Sequence, residues 1–301
     1  MADPTKRVLI TGSRGFTGRL LRHRLAYEGY EVIGLINEGQ PNADERYADL
    51  TDAASLSNAV AEVAPDLVVH LAAISFVAVD NIESIYATNT IGSLNLLDAL
   101  SKLSRVPERV ILASSANVYG DAGGLPIEET ALPAPINHYG ASKLAMEALA
   151  SVYREQVPCV ITRPFNYTGP GQALHFLVPK IVDHFARRAD RIELGNLDVE
   201  RDYLDVRSVV AIYAALLRNE KADGTVVNIC SGRSVPLREI IERLQRLTGH
   251  DIEVVVNPEF VRSNEIRRLT GSNARLRELV SDWPEYDLDV TLGDMLAAAG
   301  Q

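Results

Sequence analysis

Short apolar runs alternate with longer amphipathic stretches through the first half of the chain. The runs at 8–10, 31–36, 67–70, 109–114 and 159–163 are continuous and rich in Val, Ile and Leu. Such runs mark strands covered on both faces, as in a parallel sheet. A further short strand is expected just before Asp49. The stretches 18–28, 53–63, 85–103 and 139–155 carry apolar residues at helical spacing, for example Leu20, Leu21 and Leu25, or Ile85, Ile91, Leu94, Leu97 and Leu100. Parallel strands joined by helices require right-handed crossovers, so the pattern predicts an α/β fold with a doubly wound parallel Rossmann sheet. After residue 163 the pattern loosens. A turn-rich stretch at 163–172 leads to helices at 176–187, 206–218 and 238–248, with Asp205 placed to cap the second. A strand at 226–230 belongs either to the main sheet or to a smaller unit. We expect a dinucleotide-binding domain over 1–162. A smaller C-terminal α/β substrate lobe takes most of 163–301, with some segments returning to the first domain.

Composition narrows the class. The chain has 301 residues, 47% of them apolar, enough for one large or two modest cores. Its net charge of -10 repels nucleic-acid backbones, and no basic patch offsets it, so no nucleic-acid partner is expected. Residues 1–6 lack an apolar secretion segment, and no apolar run reaches the length of a membrane span. These features predict a cytoplasmic protein with no membrane partner. Cys159 and Cys230 lie in strand-like runs and are expected as buried, reduced thiols. The six histidines show no metal-ligand spacing, so no metal site is expected.

The first chemistry appears at Thr11-Gly12-Ser13-Arg14-Gly15-Phe16-Thr17-Gly18, where an apolar run meets a Gly-rich turn and a helix. Gly12 allows a sharp turn, Gly15 leaves room for a pyrophosphate, and Gly18 lets the helix pack closely. The helix then aims its free N–H groups and its dipole at the phosphates, with Phe16 in the same turn. The tip of the second strand is the neutral Asn37, followed by Glu38. NAD-binding chains carry an acid there to bind the adenosine ribose. Asn37 tolerates a 2′-phosphate, and the Arg14 guanidinium is suited to form a fork with one. NADP(H) is therefore expected over NAD(H). Asp49 is placed to accept from the adenine amino group, with Leu50 against the ring. Asp52 is better placed to cap the next helix. The small residues of Leu71-Ala72-Ala73 let the chain pass beside the cofactor.

Tyr139 and Lys143 stand at i and i+4 and share one helix face. A nearby ammonium, and the positive nicotinamide when oxidised, favour the phenolate and make Tyr139 a usable acid–base, while Lys143 can also hold the nicotinamide ribose hydroxyls. The Ser115 hydroxyl ends the fifth strand and can hydrogen-bond the reacting oxygen.

Taken together, Thr-Gly-x-x-Gly-x-x-Gly, His-Leu-Ala-Ala, Ser-Ser-x-x-Val-Tyr-Gly, Tyr-x-x-x-Lys and Arg-Pro-Phe-Asn-Tyr-x-Gly-Pro-Gly resemble the extended short-chain dehydrogenase/reductases. That family acts on nucleotide sugars, and the resemblance spans essentially the whole chain. It implies Ser115, Tyr139 and Lys143 as the catalytic group. It implies Asn166, Arg201 and Arg262 on the substrate pyrophosphate and Glu265 on the substrate ribose. Val178 and Lys180, early in the helix over the nucleotide, are expected to contact substrate. Sugar 4,6-dehydratases of the family place acids where this chain has Ala116 and Asn117, which argues against dehydration. The motifs at 165–172, 195–202, 227–232 and 271–276 are similar to those of GDP-4-keto-6-deoxy-mannose reductases. They imply NAD(P)H-dependent reduction at C4 of a GDP-linked 4-keto-6-deoxy-hexose, giving a GDP-rhamnose or GDP-deoxytalose type product. A UDP-sugar 4-epimerase with bound NAD, and a cofactor-sensing binding protein that lost its chemistry, remain the alternatives. The resemblance also implies a homodimer through the two long helices at 85–103 and 139–155.

Overall fold

The computed structural model describes residues 5–75, 81–123, 126–260 and 266–300. The first half runs β1 (Arg7–Thr11), α1 (Phe16–Tyr27), β2 (Glu31–Ile36), β3 (Glu45–Tyr47), α2 (Ala53–Val63), β4 (Leu67–His70), α3 (Ile82–Tyr86), α4 (Gly92–Ser101), β5 (Arg109–Ala113), α5 (His138–Tyr153) and β6 (Cys159–Pro164). The second half runs β7 (Asn166–Thr168), α6 (Leu177–Ala186), β8 (Arg191–Leu194), β9 (Glu200–Asp205), α7 (Val206–Arg218), β10 (Val226–Ile229), β11 (Ser234–Pro236), α8 (Leu237–Thr248), β12 (Glu253–Val256), β13 (Arg268–Leu269), α9 (Ala274–Leu279) and α10 (Leu288–Ala299).

The main sheet has seven parallel strands in the order β10-β6-β5-β4-β1-β2-β3. The order reverses beside β1, and ligands of such sheets sit at the strands' carboxyl ends near that point. The alternation of side chains along β1 builds both cores. Val8 and Ile10 pack with α1 and α7 (Leu21, Leu25, Ile212, Leu216), while Leu9 packs on the other face with α2, α4 and α5 (Leu56, Leu96, Met146). The strand at 226–230 thus resolves to the main sheet, where β10 pairs with β6 in register Val226↔Ile161. A smaller lobe in the second half has its own core of Val178, Ile181, Phe185, Ile240, Leu244 and Leu292, from α6, α8 and α10. Its small sheets are β11-β9-β13, with β7 joined to β9, and the pair β12-β8.

Two elements differ from expectation. Helix α1 begins at Phe16 rather than Gly18, because extended Gly15 (φ -70, ψ 173) serves as the N-cap. The predicted helix 85–103 starts three residues earlier and contains a π segment, Ala87–Ile91, joining α3 to α4. That segment turns Asn89 inward, where it is fully buried. Local π-helix is frequent at functional sites. Asp52 and Asp205 cap α2 and α7, as their positions suggested.

Candidate active site

The carboxyl ends of β1, β4 and β5 and the first two turns of α5 meet at one edge of the sheet. Gly12 has φ +67, and a Cβ on it would lie 2.8 Å from the Ala72 nitrogen, so only glycine lets the β1 exit approach the β4 exit. A Cβ on Gly18 would come within 2.3 Å of the Gly12 carbonyl oxygen. The third glycine therefore packs the helix onto the turn itself. Beside Gly15 a Cβ would meet only the Gly12 oxygen, at 3.1 Å. No side chain caps the start of α1. An open glycine before an uncapped helix N-terminus fits a pyrophosphate.

Behind this turn, His70 locks the strand ends together. The Ala72 N–H donates to Thr11 Oγ1 (3.1 Å), and Thr11 Oγ1 lies 2.7 Å from His70 Nδ1. His70 Nε2 lies 2.9 Å from Ser93 Oγ, which itself donates to the Asn89 carbonyl. Ser93 must then accept from Nε2–H, and Thr11 donates to Nδ1, which fixes a neutral tautomer. Burial, with the Lys143 charge nearby, lowers the His70 pKa to about 3.

Ser115 follows β5 and is buried. Its hydroxyl is hydrogen-bonded to the Tyr139 phenol. Lys143, one turn further along α5, is 1% exposed, and its Nζ donates to the Ala113 carbonyl at 2.8 Å. Burial, partly offset by Glu147, lowers the Lys143 pKa to about 8. An ammonium has three donors, and the Ala113 carbonyl takes one of them, so the donor set suits ribose hydroxyls. Burial raises the Tyr139 pKa, Tyr167 raises it further, and only Ser115 lowers it. Desolvation of the charged form is the largest of these influences.

Sequence reasoning missed several supports. Glu147 accepts from Arg163 Nε (3.0 Å) and Nη2 (2.6 Å) in a buried bidentate pair, and Ser114 also donates to it. Its place one helical turn beyond Lys143 was the available signal. Tyr167 stacks on Phe16 (centroids 6.2 Å apart, planes 8° apart) and bonds Thr17 Oγ1 at 2.9 Å, tying the Gly-rich turn to β7.

Where the sequence placed the adenosine, Arg14 donates to Glu45 through Nε (3.1 Å) and Nη2 (2.6 Å). It also donates to the carbonyls of Glu38 and Gln40. Much of the expected fork is thus already engaged. Buried Glu45, also bonded by Arg22 and the Asn42 N–H, has its pKa lowered to about 2, chiefly by Arg14. Asn37 and Glu38 are exposed at the β2 tip. Asp49 Oδ1 is taken by Thr51, and Leu50 is packed in the core against Gly92.

The substrate-side residues are spread more widely. Asn166 is exposed on β7. Val178 is 2% exposed within the lobe core, so its side chain packs rather than lines a site. Lys180 donates to the Glu193 carbonyl (3.0 Å) and sits over the Phe260 ring. Arg201 on β9 donates to the carbonyls of Glu200 and Arg267. Buried Asp202 beside it accepts from the backbone of Ser231 and Gly232. Arg262 and Glu265 lie outside the described residues. Both cysteines are free and buried. No helix among the described residues is long and apolar enough to cross a membrane.

A sequence model described as the NAD dependent epimerase/dehydratase family matches residues 8–230. The chain is 36% identical over 304 residues to GDP-6-deoxy-D-mannose reductase of Pseudomonas aeruginosa, covering 97% of each. It is 34% identical over 277 residues to GDP-6-deoxy-D-talose 4-dehydrogenase of Aggregatibacter actinomycetemcomitans, covering 92% of each. A solved structure, RMD from Pseudomonas aeruginosa complexed with NADPH, superposes with a TM-score of 0.86 at 34% identity over 98% of each chain.

Proposed function

The chain belongs to the NAD dependent epimerase/dehydratase family, and from that premise we propose that it reduces the C4 keto group of a GDP-4-keto-6-deoxy-hexose. The carrying observation is that the Tyr139 phenol, one helical turn before buried Lys143, meets the buried Ser115 hydroxyl at the β5 end. The cofactor, when bound, supplies the hydride to the carbonyl carbon. Tyr139 gives its proton to the carbonyl oxygen, so one O–H bond breaks as the C4 hydroxyl forms. Ser115 donates a hydrogen bond to that oxygen as charge develops. Lys143, largely protonated at neutral pH, offsets the charge left on Tyr139. Ala116 and Asn117 offer no acid for dehydration. The names of the two relatives support the GDP-linked 4-keto sugar as substrate.

NADP(H) is preferred over NAD(H) in this reading. The NADPH in the Pseudomonas structure and the neutral Asn37 tip support it. Gly12, Gly15, Phe16 and Gly18 cradle the phosphates, Arg14 and Asn37 flank the adenosine, and Asp49, Leu50 and 71–73 line its course. Asn166, Lys180 and Arg201 hold the sugar nucleotide, with Arg262 and Glu265 closing on it. Residues 1–162 form the cofactor domain, and most of 163–301 the substrate lobe, with α7 and β10 returned to the first. Exposed Ile91 and Val152, on the two long helices, support a homodimer through them. Two reduced thiols suit the cytoplasm.

The test is cofactor oxidation with GDP-4-keto-6-deoxy-mannose. The reading expects one NADPH consumed per sugar reduced, and slower turnover with NADH. No net NADPH consumption, with the sugar merely epimerised, overturns it.

A further inference from the structure

Around Ser115 the hydrogen bonds run in one direction. The Gly140 N–H, at the start of α5, donates to Asn137 Oδ1 at 2.8 Å. A backbone N–H can only donate, so it fixes which end of the Asn137 amide is oxygen. The other end, Asn137 Nδ2, donates to Asn117 Oδ1 at 3.3 Å. That in turn fixes Asn117, whose Nδ2 donates to Ser115 Oγ at 3.1 Å. The Asn117 backbone N–H also donates to Ser115 Oγ, at 3.2 Å. A hydroxyl oxygen has two lone pairs and one proton. With both lone pairs taken, Ser115 has only its O–H left to offer. The contact is close by construction, since a Cβ on Gly140 would lie 2.5 Å from the Asn117 carbonyl oxygen.

We propose that Asn117 is a positioning residue that sets the polarity of Ser115, forcing its single O–H to donate to Tyr139 in the free protein and to the substrate oxygen once substrate is bound. The residue at 117 must therefore be a neutral donor. An aspartate of the same shape would accept the Ser115 proton and turn the hydroxyl away from the reacting oxygen. An alanine would leave Ser115 free to rotate, with donation weakened but still available. The same chain ties Ser115 to the cap of the helix that carries Tyr139, so the two hydroxyls are held as one unit.

This inference rests on the proposed reduction, and the experiment separates the two. Wild type, N117A and N117D are compared with NADPH and a GDP-4-keto-6-deoxy-hexose, alongside NADPH affinity and thermal unfolding. The expected order of kcat is wild type, then N117A about tenfold lower, then N117D about 10²- to 10³-fold lower, as for loss of an oxyanion donor. NADPH affinity is expected to stay constant. A substrate-free reading uses protein labelled with 13C at the tyrosine ζ carbon, with Tyr139 assigned through Tyr139→Phe. Its resonance is expected to move in N117D, where Ser115 no longer donates to the phenol, and to stay near the wild-type position in N117A. If wild type reduces no 4-keto sugar, the functional reading fails and the Tyr139 resonance alone decides the polarity. N117D matching N117A in kcat, or an unmoved Tyr139 resonance in N117D, overturns the inference.

Discussion

Ser115, Tyr139 and Lys143 stand on a strand end and two turns of one helix, and two of them are under 6% exposed. Asn166, Lys180 and Arg201 stand on three separate elements of the lobe, and none of them is buried. At the proposed catalytic edge Ser115 and Lys143 are buried, each with a partner fixed before any ligand arrives. Ser115 receives from Asn117, and Lys143 reaches the Ala113 carbonyl. In the lobe the polar side chains rest on nearby carbonyls, as Lys180 does on Glu193 and Arg201 on Glu200. On the proposed function, such contacts are exchanged for phosphate oxygens at little cost, so the chemistry is held in advance while binding is assembled from contacts that a ligand replaces.

The largest effect sharpens the first half of that contrast. Tyr139→Phe keeps the ring and removes the proton, and kcat is expected to fall about 10³-fold. NADPH affinity, measured by fluorescence titration, should not change. A variant with normal turnover would break the claim that this edge does the chemistry.

The second effect concerns the strain that advance burial leaves behind. Lys143 has a pKa of about 8 in the fold against an ordinary lysine value of 10.5. The folded chain therefore carries a charge it disfavours at pH 7, a penalty of about 3 kcal/mol at most. Lys143→Met should raise unfolding stability at pH 7 by an amount of that order while abolishing turnover. The sign with pH follows. Between about pH 8 and 10.5 the unfolded chain binds the proton that the folded chain has released, so wild-type stability rises there. Denaturant melts of the methionine variant should lack that rise.

The smallest effect belongs to the lobe. Arg201→Ala is expected to raise KM for the sugar nucleotide about tenfold with kcat nearly unchanged, as for loss of uniform binding. A fall in kcat with constant KM would erase the distinction between the two regions.

The same contrast explains what the sequence made legible. Tyr139 and Lys143 are set by helical spacing, and the Gly-rich turn by its place between a strand and a helix. Local order alone fixes both. The β2, α2 and β4 limits follow from continuous apolar runs and from Asp52 as a cap. What local order does not show is which distant groups meet. Glu45 reaches Arg14 across the sheet edge, Asn137 reaches Asn117 across a loop, and Tyr167 reaches Thr17 from the other half of the chain. The i, i+4 spacing shows that a charge lies near a phenol, but the burial that raises the Tyr139 pKa depends on the whole fold.

The most direct measurement follows the hydride itself. NADPH carrying deuterium at the transferable position is mixed with enzyme and GDP-4-keto-6-deoxy-mannose, and the product is read by NMR. The account predicts deuterium at C4 of the sugar, one per NADPH oxidised. Product that forms without deuterium at C4 would contradict it.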